Sequence, residues 1–367
     1  MVWLAVAISQ LGIGFAAAQA PAQAPVLGGF DVYGSERIDV AALRIELRST
    51  LEAFLAAAVG GNEAAIEVAV DTIQAAIEPY GPFASTSFSM TQDFYSNPGF
   101  YLTVDVVDAG DAERRMPFRE LDPDTAGDFE DPDGLIADWY VYQDRFFALL
   151  ASGALSSVDE VSCPALHCLA PFDHAELAPY LPRFDAGASA HESTLRAIVE
   201  RDRDPRQRAA AVFLLAHTKD PGRLLPLLEW AMVDPDSTVR NNAMRIMIFL
   251  AQSHPDLDYP IESLIAAMDF AAASDRNKSA ETVAMLAEQP RYRDIIRANA
   301  LETCLKLLRL ELPNNRNPAH RILMMVSGLS LPAEDIAGWD RWVREASESD
   351  RSAAPDDDPP RQRNQAE

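Results

Sequence analysis

One pattern returns four times between residues 202 and 326, and it constrains the fold more than any other feature of the chain. In each copy an arginine is followed after three residues by a small side chain, and after six and seven residues by two larger ones. These arginines are Arg208, Arg240, Arg276 and Arg316, spaced by 32, 36 and 40 residues. Positions three, six and seven fall on one face of an α-helix, so the pattern predicts successive helix pairs that share a core.

Two of the four copies resemble a known helical repeat. The stretches RDPRQRAAAVFLLA from Arg203 and DPDSTVRNNAMRIMIFLA from Asp234 resemble HEAT repeats, with an aspartate turn and an arginine that opens the second helix. The resemblance implies a curved ladder of helix pairs over residues 191–345, with a concave face that binds another macromolecule. The aspartates that precede these helices are predicted to cap their free amides; they are Asp204, Asp236 and Asp275.

Before this region, residues 30–110 predict a compact α+β unit with the order β-α-α-β-β. The predicted elements are a strand at 30–33, a helix at 40–59, a helix capped by Asn62, and strands at 83–90 and 100–107. The order, together with the motifs YGSERI from Tyr33 and YGPF from Tyr80, resembles a POTRA domain. That resemblance implies a location outside the cytoplasmic membrane and partner binding through strand edges. The expected fold class is an α+β N-terminal domain followed by an all-α HEAT-like helical solenoid.

The N-terminus predicts export. The first 24 residues carry no charge and include an apolar run that ends in small residues. We interpret residues 1–18 as a signal peptide and residues 19–29 as a linker, which predicts a periplasmic or otherwise extracytoplasmic protein. The alternative is an uncleaved membrane anchor, because the run approaches the shortest spanning length of about 17 residues. No later segment is predicted to span a membrane.

The charge balance restricts the partners. The net charge of −25 repels phosphate backbones, so we expect no nucleic-acid binding. A protein or peptide partner is expected instead, although solubility alone also explains such a charge.

Residues 111–190 are interpreted as an acidic loop and a connecting helical segment. Asp122, Asp124 and Asp133 partly imitate a calcium-binding loop, but the fifth and twelfth positions depart from its pattern. A solvated loop is the favoured interpretation of these three aspartates.

Two helices are predicted at the ends of the solenoid. The first, at 135–150, carries an aromatic stripe that we expect to pack the α+β unit against the solenoid. The second contains Trp339 and Trp342 and is expected to cap the open end of the repeats. Residues 346–367 have the composition of a disordered tail.

Cysteine and histidine cluster only once, in the segment CPALHC and shortly after it. A disulfide between Cys163 and Cys168 suits an oxidising compartment and requires a bend in the chain. A metal site from Cys163, His167, Cys168 and His174 has suitable ligand types, and free thiols are the third alternative.

A polar ladder recurs at one repeat position. Its candidate residues are Arg240, Asn241, Asn242, Arg276, Asn277 and Arg316. One interpretation is a capping network between repeats, and the other is a rim that grips a peptide or an acidic partner.

No sequence motif indicates catalysis or a cofactor. The chain lacks a nucleophile elbow, a zinc-protease motif, a P-loop and a dinucleotide-binding fingerprint. We predict a non-catalytic scaffold for protein–protein interaction in the cell envelope. The alternatives are a metal-dependent or hydrolytic enzyme with a site near Cys163, His167 and His174, and a structural envelope protein.

Overall fold

A computed structural model of the chain describes residues 26–93, 99–155 and 163–353. The predicted signal peptide, most of the predicted linker and residues 354–367 lie outside these ranges. Within them, a small three-stranded sheet near the N-terminus is followed by a region of α-helices. None of the described helices is both long enough and apolar enough to cross a membrane.

The N-terminal region follows the predicted order β-α-α-β-β, except that the first predicted helix is divided into two. Its elements are β1 (Leu27–Tyr33), α1 (Val40–Glu46), α2 (Arg48–Val59), α3 (Glu63–Ile77), β2 (Phe83–Asp93) and β3 (Gly99–Asp108). The helix predicted at 40–59 is divided at Leu47, whose ψ of 7° interrupts the helical backbone. Asn62 caps α3 as predicted, by accepting a hydrogen bond from the amide of Ala65. Strand β1 begins inside the predicted linker.

Strand β3 lies at the centre of the sheet. It runs parallel to β1 and antiparallel to β2, so β2 forms one edge. Leu102, Val104 and Val106 of β3 pack into the core formed with α1, α2 and α3. Because side chains alternate along a strand, Tyr101 and Asp105 point to the opposite face, which is covered by the helical region.

The remaining described elements are helices. They are α4 (Ala112–Arg115), α5 (Leu135–Ala151), α6 (Tyr180–Ala190), α7 (Glu192–Arg201), α8 (Pro205–Leu215), α9 (Pro221–Ala231), α10 (Ser237–Ser253), α11 (Ile261–Ala267), α12 (Ala273–Leu286), α13 (Pro290–Leu308), α14 (Pro313–Ser327) and α15 (Ile336–Ala353). Helices α8, α10, α12 and α14 pack in series, each against the next. Helices α11, α13 and α15 form a second series behind them. One apolar cluster runs through both series and includes α5.

The predicted helical face is buried in all four copies of the pattern. Every position three, six or seven residues after the four arginines is at most 1% exposed. Asp204 and Asp236 cap α8 and α10, with their carboxylates accepting from the backbone amides of Arg206 and Thr238 at 2.9 and 2.8 Å. The cap predicted for Asp275 is wrong. Helix α12 begins after Ala272, so Asp275 lies inside the helix, and its buried carboxylate accepts from Arg240 of α10.

Two predictions about the ends of the helical region are corrected. The aromatic stripe of α5 is buried as predicted, but α5 packs against α6 and α8 and not against the sheet. Helix α15 continues to Ala353, so the tail predicted from residue 346 begins too early.

The sheet contacts the N-terminal ends of α12 and α14 directly. The Asp31 carboxylate of β1 accepts from the backbone amides of Glu311 and Leu312, each at 2.9 Å. The Asp105 carboxylate of β3 accepts from the amide of Ala273 at 3.1 Å. Burial raises the pKa of Asp31 to about 6, although the two amides oppose this shift. Buried carboxylates therefore join the sheet to the helices.

Gly34 permits a second connection. Its φ is +109°, and a Cβ there would collide with the Arg115 guanidinium and the Val106 carbonyl oxygen. Since that space is open, Arg115 donates to Val106 of the sheet and, at 3.0 Å, to the Asp269 carbonyl oxygen of the helical region.

Candidate functional site

A cavity of about 430 Å³ lies between strand β2 and helices α10, α12 and α14. Its sheet wall is formed mainly by alternate residues of β2, namely Ser85, Ser87, Ser89 and Thr91, to which Phe88 of β2 and Asp105 of β3 add. Apolar side chains that include Phe118, Ile248 and Phe249 complete the lining. Cavities of this size and mixed lining hold small molecules or side chains of a partner.

The sheet wall is polar because the sequence of β2 alternates. Phe88 and Met90 pack toward the core with α1, α2 and α3, which directs the serine side chains of the strand to the cavity. The Ser89 hydroxyl is buried and has no hydrogen-bond partner. Among the described strands, β2 pairs only with β3, so the other side of its backbone has no partner strand.

Three helices present their N-terminal ends to the cavity. Ser237 begins α10, Ala273 begins α12, and Asn314 is the second residue of α14. Carboxylates of the chain already accept from amides at all three ends, namely Asp236 at α10, Asp105 at α12 and Asp31 just before α14. Since helix N-termini carry a partial positive charge, these carboxylates occupy the positions that favour an anion.

Three of the four repeat arginines are buried in one recurring arrangement. Arg208, Arg240 and Arg276 each donate through Nη1 to the carbonyl oxygens six and five residues earlier. Each guanidinium also pairs with a carboxylate; the partners are Asp234 at 2.7 Å, Asp275 at 2.8 Å and Asp105 at 2.6 Å, respectively. These contacts join each helix to its neighbour or, for Arg276, to the sheet.

The six predicted rim residues do not share one environment. Arg240, Arg276 and Asn242 are buried, and the Asn242 amide donates to the Ala209 carbonyl oxygen at 3.0 Å. Asn241 is half-buried. Asn277 is half-buried beside the cavity and donates to the Asn314 carbonyl oxygen at 2.6 Å. Arg316 pairs with Glu334 at 2.9 Å.

Two further cations line the cavity without such partners. Lys278 of α12 is 8% exposed, and Arg245 of α10 has a buried Nε without a hydrogen-bond partner. Neither side chain donates a hydrogen bond or forms an ion pair within the described residues. Burial lowers the pKa of Arg245 to about 10. Burial, and then the nearby Arg245 charge, lower the pKa of Lys278 to about 7, with Asp275 opposing the shift.

The sequence prediction missed this pair. Lys278 directly follows Asn277 of the polar ladder but is not among its candidates, and Arg245 is one of many arginines in a helical pattern. One signal was available, because the chain has only three lysines, and Lys278 occurs where α12 otherwise continues its buried face.

Cys163 and Cys168 form a disulfide with a Cα–Cα distance of 5.4 Å. Between them, His167 is buried against Phe213 and Phe249, and neither ring nitrogen has a hydrogen-bond partner. Burial, with a smaller effect of Arg245, lowers the pKa of His167 to about 3, so the ring is neutral.

The candidate metal ligands are not brought together. Both thiols are used in the disulfide, and the Nδ1 atom of His174 accepts from the amide of Glu176 at 3.3 Å. No group of three histidine, cysteine, aspartate or glutamate side chains in the described part of the chain is placed to hold a metal.

The three calcium candidates are also separate in their contacts. The Asp122 carboxylate accepts from the amide of Asp124 and from the Thr125 hydroxyl within its own turn. The Asp133 carboxylate instead lies 2.8 Å from Nε2 of His191.

The chain matches no family model, and neither the curated proteins nor the solved structures that were compared with it include a significant match. A functional proposal for this protein therefore depends on the geometry of the cavity and of the strand beside it.

Proposed function

We propose that the protein is a non-catalytic binding protein of the cell envelope, in which a POTRA-like domain and a HEAT-like solenoid together receive a protein or peptide partner. The observation that carries this proposal is the position of β2, an edge strand whose hydroxyl-bearing face forms one wall of the cavity. The envelope location rests on the predicted signal peptide.

An edge strand supports this role because its backbone amides and carbonyls can pair with an extended segment of another chain. A segment paired with β2 would lie next to the cavity, so side chains of that segment could enter the cavity. Main-chain pairing would supply affinity, and the cavity would select the side chain.

The helical wall supports the same role. Helices α8, α10, α12 and α14 lie side by side, as the helices of a HEAT-like array do. Three of them, α10, α12 and α14, have their N-terminal ends at the cavity. Phe249 lines the cavity although its side chain is 44% exposed, and an aromatic residue in that position suits contact with a partner.

Site-specific crosslinking in cells of the natural host tests the proposal. A photoreactive amino acid is placed at Gln92, an exposed residue of β2, and in matched variants at Glu52 of α2 and Glu345 of α15, which are also exposed. We expect a discrete protein adduct from Gln92 and none from the other two positions. Peptides excised from the adduct should then bind the purified chain and protect alternate amides of β2 from hydrogen exchange.

Two outcomes would contradict the proposal. Equal adducts from Glu52 and Glu345 would move the binding surface away from β2. The absence of a protein adduct at every position would favour the structural role in the envelope. We do not propose an enzyme with a site at Cys163, His167 and His174, because the contacts of these residues offer no support for one.

A further inference from the structure

Lys278 is buried and Arg245 is half-buried with a buried Nε, and neither has an anionic partner among the described residues, although the chain has 56 acidic residues and 31 basic ones. Lys278 and Arg245 lie on the neighbouring helices α12 and α10, and the Arg245 charge is close enough to contribute to the lowered pKa of Lys278. Surplus carboxylates are available on the surface, yet none of the described ones reaches either group. The pair is therefore a site in which the chain itself leaves positive charge unneutralised.

Such a pair is costly for the free protein. A charge that is removed from water loses its hydration unless a counter-charge or hydrogen bonds replace it. The carboxylate that lines the cavity, Asp105, does not serve because it is held by Arg276, and nearby Asp275 is held by Arg240. An anion that enters the cavity would restore the missing partner to both cations.

The rest of the lining indicates what the anion is attached to. Serine hydroxyls on the β2 wall can donate to an oxygen anion. Phe118, Ile248, Phe249 and Leu312 add an apolar surface to the same cavity. A planar guanidinium beside an ammonium matches the two oxygens of a carboxylate, and the apolar surface matches a hydrocarbon body.

We propose that Arg245 and Lys278 bind the carboxylate of an organic ligand whose apolar body fills the remainder of the cavity. The carboxylate can come from a free organic acid or from a peptide; only the second source rests on the function proposed above. In both cases the guanidinium and the ammonium grip the carboxylate oxygens, and the Ser89 hydroxyl gains the partner that it lacks.

Calorimetric titration of the full chain tests the assignment. The probes are hexanoate, benzoate, inorganic phosphate, and a pool of pentapeptides prepared once with free C-terminal carboxylates and once as C-terminal amides. We expect binding of hexanoate or benzoate, or of the carboxylate pool but not the amide pool, and the responding arm identifies the source. Lys278→Met and Arg245→Met should each weaken this binding about tenfold to a hundredfold, because each removes charge-assisted hydrogen bonds.

Lys306→Met is the matched control, since Lys306 is exposed on α13 and the substitution makes the same change in net charge. It should leave binding unchanged. Failure of all carboxylate probes at millimolar concentration would overturn the proposal, as would unchanged binding by Lys278→Met. Tighter binding of phosphate than of any carboxylate would overturn the ligand class. None of these results alters crosslinking at β2, so the two proposals fail independently.

A measurement on the unaltered chain guards against variants that do not fold. With ¹³C-labelled lysine, the three lysines give three sets of side-chain signals, and Lys219 and Lys306 serve as internal references. A bound carboxylate should shift the Lys278 signal alone and raise its titration midpoint toward the ordinary lysine range. A Lys278 signal that does not respond to a probe that binds would place that probe elsewhere and contradict the proposal.

Discussion

Helices α10 and α12 each carry two cations that face the same region of the molecule, but the two pairs have opposite environments. Arg240 and Arg276 are saturated by backbone carbonyls and by buried carboxylates. Arg245 and Lys278, a few residues further along the same helices, have no partner in the described chain. The first pair fixes the position of helices and sheet, whereas the second is ready for a group that the protein does not supply.

This difference separates structure from function within one small region. Buried polar groups in folded proteins are almost always paired, so an exception requires an explanation. For Arg240 and Arg276, the full set of partners explains burial without any ligand. For Arg245 and Lys278, no partner in the described chain offsets the cost of burial. The lowered pKa of Lys278 reduces that cost by favouring its neutral form, whereas a partner from outside would restore the charge. The following predictions test that contrast.

The largest expected effect belongs to a paired cation. Arg276→Met leaves Asp105 buried without its cation and removes the contact between sheet and α12. We expect a loss of about 3–5 kcal/mol in the free energy of unfolding, the cost of breaking a buried ion pair. Denaturant unfolding of the variant, with Lys306→Met as the control, measures the loss.

A double variant sharpens this result. Arg276→Met combined with Asp105→Asn removes both charges, so it should be more stable than the sum of the two single variants predicts. Additive losses would mean that the two side chains act independently and that the ion pair does not join the sheet to the helices.

The next effect concerns His167, whose pKa is affected by the nearby Arg245. Its pKa is about 3 in the folded protein, below the ordinary 6.5, so the unfolded chain binds a proton first as the pH falls. Stability from this neutral ring is complete above pH 6.5 and is lost toward pH 3, at about 1.4 kcal/mol per pH unit. Between pH 6 and pH 4, the free energy of unfolding should therefore fall by about 2–3 kcal/mol less in His167→Phe than in the wild type.

Equal acid sensitivity of the two proteins in denaturant unfolding would mean that His167 is protonated in the folded state. His191→Phe is a suitable control, because His191 is half-buried and lies beside Asp133.

A smaller effect is expected at the unpaired lysine. The pKa of Lys278 is about 7 in the folded protein and near 10.5 in the unfolded chain, so between these values the unfolded state holds the extra proton. Stability of the wild type should therefore rise with pH through this window, by about 1 kcal/mol from pH 7.5 to 8.5. Lys278→Met should lack this contribution, and the difference between the two pH profiles isolates it. Parallel profiles would indicate a lysine with an unshifted pKa and a partner of its own.

Much of the fold follows from local patterns in the sequence. The buried face after each repeat arginine is set by helical periodicity, and the caps at Asn62, Asp204 and Asp236 are set by residue type and position. The order of strands and helices along the N-terminal region also follows from the alternation of apolar and polar residues and from turn residues. Asp275 was assigned wrongly because a cap and a buried ion-pair partner look the same in one dimension.

The site is harder to predict because it is formed across the chain. Lys278 is buried only because β2, almost 190 residues earlier, and α10 close over it. The alternation of Ser85, Ser87 and Ser89 is visible in the sequence, but nothing local indicates that this face meets helices rather than solvent. Whether a cation such as Arg245 has a partner is a property of the assembled fold.

The smallest effect is expected at the fourth repeat, whose arginine does not make the buried contacts of the other three. Arg316 pairs with Glu334, whose side chain is 76% exposed, so Arg316→Met should change the free energy of unfolding by less than about 1 kcal/mol. Arg208→Met is the matched comparison, because that guanidinium is 2% exposed and paired with buried Asp234; it should cost several times more. Similar losses in the two variants would show that burial does not distinguish the first and fourth copies, and would weaken the contrast between saturated and unpaired cations on which the carboxylate site depends.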